Sequence, residues 1–112
     1  MVFLPLENFF KKKALGKNPE DIIITSLDFN SESKKIVSFC VIQVHFSGEL
    51  KHEIIKYDCA HGYCHVHRYY WASTKRERLA EELSKDSFDK FRRDIEENWQ
   101  RYKSLYFERK KE

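Results

Sequence analysis

The sequence predicts an α+β fold, a four-stranded antiparallel meander sheet with two C-terminal helices packed on one face. Two observations carry that expectation. Between residues 22 and 71 the chain is a series of β-branched and aromatic runs separated by short turn-forming clusters, and after Ser73 the apolar residues change to helical spacing. The composition adds a third: 112 residues, 41% hydrophobic and 15% aromatic, suffice for one modest core rich in rings, so a single domain over residues 1–112 is expected.

Ile22 to Phe29, opened by Asn18-Pro19 and closed by Asn30-Ser31-Glu32-Ser33, reads as the first strand. Ile36 to Phe46 is the second and strongest, ended by a tight connection at Ser47-Gly48-Glu49. Leu50 to Asp58 is the third, Cys59 to Gly62 a turn, and Tyr63 to Trp71 the fourth. Leu79, Ala80 and Leu83 then predict a helix over about 74–84. After the capping-type Asp86-Ser87, the residues Phe88, Phe91, Ile95, Trp99, Tyr102 and Tyr106 form one stripe of a second helix over about 87–109. Its opposite face carries Lys90, Arg93, Glu97, Arg101 and Glu108, as a solvated face should.

The net charge of +3 is mild, but it is clustered at Lys11-Lys12-Lys13, Lys75-Arg76 with Arg78, Arg92-Arg93 and Arg109-Lys110-Lys111. Solvated surface is the first reading of these clusters, and a polyanionic partner the second. Three cysteines, Cys40, Cys59 and Cys64, are an odd number, which argues for reduced thiols and a cytoplasmic setting. The apolar start, Met1 to Leu6, is too short for a signal peptide, and no run approaches the length that spans a bilayer, so no membrane partner is expected.

Strand parity sorts the histidines. If the two hairpin loops have even lengths and no bulge intervenes, Cys40, Ile42, Val44, Phe46, Ile55, Tyr57, Cys64, Val66 and Tyr70 share the inner face. Phe39, Val41, Gln43, His45, His52, Ile54, Lys56, Asp58, Tyr63, His65, His67 and Tyr69 then share the other. Four of five histidines fall together, with His61 on the adjoining turn. With a four-residue Cys59–Gly62 loop, Asp58 opposes Tyr63 and Lys56 opposes His65.

Two chemistries suit such a cluster. His65 and His67, two apart on a strand, have Cα atoms roughly 6.5 to 7 Å apart and can reach one divalent ion of the Zn type, with His61, Asp58 and, for a missing ligand, Cys59. Without metal, the same imidazoles suit acid–base cleavage of RNA, His61 and Asp58 orienting them, Lys56 and Arg68 contacting phosphate, and Tyr63 and Tyr69 stacking on bases. Parity places Arg68 on the inner face, which weighs against its part. A third reading is non-enzymatic: Phe39, Val41, Ile54, Tyr63 and Tyr69 as a docking surface for a partner or for a second copy in a homodimer. The plainest alternative is an outer sheet face of hydrogen-bonded histidines and tyrosines.

The segment Tyr57-Asp58-x-x-His61-Gly62-x-x-His65-x-His67-Arg68 resembles small prokaryotic families of His-rich domains. It is also loosely similar to the TumE-like toxins of toxin–antitoxin pairs, with Lys56-Tyr57-Asp58 and the following histidines at matching positions over about Ile36 to Trp71. That resemblance implies a toxin-like protein that acts on RNA or the translation machinery and is neutralised by a partner protein.

Overall fold

The computed structural model describes residues 6–60, 62–71 and 76–110. Its strands are β1 (Leu6–Ala14), β2 (Asp21–Asn30), β3 (Ile36–Ser47), β4 (Leu50–Ala60), β5 (Tyr63–Arg68) and β6 (Glu77–Glu82), followed by one helix, α1 (Lys85–Lys110). The strands form a single antiparallel sheet in sequential order, β1-β2-β3-β4-β5-β6. This corrects the expected four-stranded sheet with two helices. The expected strands correspond to β2 to β5, and one further strand lies at each edge.

The two missed strands have physical explanations. Every residue of β1 is exposed, so no alternation of buried and solvated positions marks it in the sequence. Over β6 and the residue after it, expected as part of the helix over 74–84, Leu79 and Leu83 are four apart, a spacing that satisfies both a helical face and one face of a strand. Pairing with β5, Tyr63 opposite Glu82 and Val66 opposite Glu77, decides for the strand. Residues 74 and 75 of the expected helix lie outside the described residues.

The helix starts one step earlier than Asp86-Ser87 suggests. Ser84 is its cap: its Oγ accepts from the Ser87 amide at 3.1 Å, and the Ser87 Oγ accepts from the Ser84 amide at 3.0 Å, a reciprocal capping box. From there α1 lays Phe91, Ile95, Tyr102 and Tyr106, all buried, against the sheet. Asp94 fixes the docking: it accepts from the Tyr57 hydroxyl at 2.6 Å and from Tyr102 at 2.9 Å, while the Tyr57 ring stacks on Phe91 with centroids 4.2 Å apart. The core under the helix is Phe39, Val41, Ile54, Ile55, Tyr57, Cys59, Cys64 and Val66.

A bulge in β4 redistributes the faces. Ser47 opposes Leu50 across a two-residue turn with Gly48 at φ 60°, and pairing runs regularly to Val44 opposite Glu53. The next pair is Gln43 with Ile55, so Ile54 is the extra residue. Ile54 and Ile55 are both fully buried, and the odd insertion flips β3 relative to the expected sorting. Phe39, Val41 and Gln43, expected outside, therefore lie in the interior. That removes Phe39, Val41 and Ile54 from any exposed docking surface.

Candidate functional site

The bulge also divides the histidines. His45 opposes His52, and both turn under the C-terminal end of α1, each ring edge-on to Phe107 at 5.2 Å and 5.4 Å. The His45 Nδ1 lies 2.8 Å from Asp21, whose other oxygen takes the Lys103 ammonium at 3.1 Å. These two histidines belong to the packing of the helix on the sheet. The expected single face of four histidines is thus corrected to two pairs on opposite faces.

His65 and His67 make the second pair, on the face away from α1. Ala60 of β4 opposes Tyr63 of β5, with Gly62 at φ 88°, so the connection is two residues shorter than the expected four-residue loop. Asp58 therefore opposes His65, and Lys56 opposes His67. Because the loop differs from expectation by two residues, parity is unchanged and the four side chains still share a face. Across β5 the row continues, since Arg78 of β6 opposes His65. The Arg78 guanidinium lies 4.7 Å from the Tyr63 ring centroid, and Tyr63 meets His65 edge-on at 5.0 Å. On the other side the His67 ring stacks with Tyr69 at 5.9 Å. A shallow recess of about 210 Å³ is lined by Asp58, Ala60, Tyr63, His65 and Arg76.

The electrostatics of this face are specific. Partial burial, followed by the nearby Lys56 charge, holds the His67 imidazole below its ordinary range, so the neutral base is favoured. Burial raises the Tyr69 phenol, with Glu53 adding to the shift and Lys56 opposing it. Cys40 lies opposite Asp58 on β3, and burial pushes its thiol up to about 11, which makes it a poor nucleophile.

Arg68 does not join the site. Its guanidinium bonds Glu77 at 2.7 Å and lies 4.6 Å from the Trp71 ring, as parity requires of a residue opposite Ile55. The Arg68 guanidinium therefore lies away from the face that carries His65 and His67. Arg76 and Arg78 provide the cationic groups instead, and their signal in the sequence was the Lys75-Arg76 cluster with Arg78, which reads first as ordinary surface. His61 lies outside the described residues.

Cys59 and Cys64 are bonded to each other, directly opposed on β4 and β5 with Cα atoms 4.0 Å apart. This corrects the reduced-thiol expectation and removes Cys59 from any ligand set. The odd count misled because the third cysteine, Cys40, stands alone on the other face. Among the described residues no group of three or more His, Cys, Asp or Glu side chains is placed to hold a metal ion, and no helix is long and apolar enough to cross a membrane.

A sheet with one covered face and one face bearing a two-row histidine ladder defines a small α-and-β domain with an open polar site. The chain belongs to the family described as a domain of unknown function, DUF7718, whose model matches residues 15–112. No curated protein and no solved structure matches it.

Proposed function

We propose that the open face of β4 and β5 binds single-stranded RNA and cleaves it without metal, with His65 and His67 as the acid–base pair. The observation that supports this reading is the pair of cross-strand rows, Asp58 with His65 and Lys56 with His67, flanked by Tyr63 and Tyr69. Aromatic rings beside cations are the general means of holding unpaired bases and their phosphates.

The neutral His67 takes the proton from a ribose 2′-hydroxyl as its oxygen attacks phosphorus. The P–O5′ bond breaks, a 2′,3′-cyclic phosphate forms, and His65, across from the Asp58 carboxylate, gives a proton to the departing 5′-oxygen. Lys56, Arg76 and Arg78 stabilise the charge that accumulates on phosphate. The TumE-like resemblance adds a cellular consequence, growth arrest on expression, relieved by a neutralising protein that covers this face.

A fluorescein-labelled RNA of about a dozen nucleotides tests both halves, since it is long enough to cross most single-strand sites of about 4 to 16 nucleotides. In EDTA we expect cleavage to a cyclic phosphate end, reduced about 100-fold or more by His65→Ala or His67→Ala. Tyr63→Ala should weaken binding roughly tenfold by anisotropy. Absence of cleavage with or without EDTA, unaltered by His65→Ala, removes the enzymatic part; absence of binding at low salt removes the RNA reading altogether.

A further inference from the structure

We propose that β1 is a dimerisation edge, pairing antiparallel with β1 of a second copy of this chain to give a continuous twelve-stranded sheet. Among the described residues the backbone of this strand pairs with β2 alone, in a regular register over all nine residues. It contains no proline and no bulge, two of the usual means of blunting a sheet edge. It also concentrates exposed apolar side chains: Leu6, Phe9 and Phe10 are 48%, 49% and 57% exposed. Lysines guard exposed edges too, but here Lys11, Lys12 and Lys13 occupy only one half of the strand, and Glu7 occupies the other.

That polarity makes the strand self-complementary. A two-fold axis that pairs adjacent strands antiparallel must stand perpendicular to the sheet, so it preserves faces and opposes only residues of like parity. Centred on Phe10, such an axis pairs all nine residues: Phe10 with its copy, Phe9 with Lys11, Asn8 with Lys12, Glu7 with Lys13 and Leu6 with Ala14. Opposite charges meet twice, and each Phe9 ring meets a cation. Centring on Lys11 opposes like charges, while centring on Phe9 shortens the overlap and sets Leu6 against Lys12. The Phe10 register is therefore favoured. Both helices then lie on one side of the joined sheet and both histidine faces on the other.

The test is the mass of the full chain in solution by light scattering from about 1 to 500 µM, a range over which a reversible dimer changes population. We expect a concentration-dependent dimer that Phe10→Lys converts to monomer without loss of circular dichroism. Glu7→Lys and Lys13→Glu should each weaken it about fivefold, and the double exchange should restore it even though Lys13 also reaches Glu96 at 3.4 Å within the chain. In a Cys40→Ser background, oxidation should link Phe10→Cys into a covalent dimer and leave Lys12→Cys monomeric, because only position 10 faces its own copy. A monomer throughout the range, a dimer indifferent to Phe10→Lys, or an open-ended series of masses from β1 meeting the Glu-rich β6 edge would each overturn the proposal.

Discussion

His67 shows how a single side chain links the site to stability. Partial burial is the main reason its imidazole titrates below the ordinary 6.5, with the Lys56 ammonium second. The unfolded chain therefore binds the proton more readily than the folded one. Stability contributed by keeping His67 neutral is fully present above the unfolded value and declines as pH falls through about 6.5. Urea denaturation between pH 7.5 and pH 5.5 should show a loss of stability that is smaller in His67→Gln, and an identical loss in both proteins would contradict this account. The neighbouring residues carry their roles in their parity: Asp58, His65 and Lys56 were legible as one group because a two-residue change in loop length cannot move a side chain to the other face. His45 and His52 were not, because one extra residue, Ile54, moves everything beyond it.

At the scale of elements, the β4–β5 hairpin is held from below by Cys59–Cys64 and presents Asp58 and His65 from above. The bond closes a loop of five residues in sequence separation, and on the chain-entropy account such a short loop contributes about 2 kcal/mol. Cys59→Ala with Cys64→Ala should lower unfolding free energy by roughly that amount, and the mass of untreated protein should rise by about 2 Da on reduction. Unchanged stability in the double variant would remove the hairpin's dependence on the bond. The second edge strand and the cap of α1 were hidden for separate reasons. Leu79 and Leu83 fit either period, and the Ser84–Ser87 reciprocal cap uses serine where a glutamate or glutamine usually completes the motif.

Across the whole molecule the helix covers one face of the sheet and leaves the other open, and substitutions should separate the two. On the helix face, Tyr57 donates to the half-buried Asp94, so Tyr57→Phe leaves a carboxylate oxygen with one partner fewer and should cost about 1 kcal/mol. RNA binding should be unchanged, because Tyr57 lies on the face opposite His65. Tyr63→Ala should do the reverse, with binding weakened roughly tenfold and stability kept within about 0.5 kcal/mol, since the ring is exposed. Denaturation curves and anisotropy on both variants check the pair, and loss of both properties in either one would tie the faces together.

The sequence by itself determined the four central strands, the long aromatic helix and the local grouping of Asp58, His65, Lys56 and His67, because alternation along a strand and even-numbered turns are local properties. The tertiary structure alone decided the edge strands, the bulge and the disulfide. An edge strand with no buried side leaves no periodic trace, a bulge is placed by packing two adjacent isoleucines under one helix, and cysteines pair when their strands bring them face to face. Each depends on contacts between residues distant in sequence or on opposed strands, and such contacts exist only once the sheet is assembled.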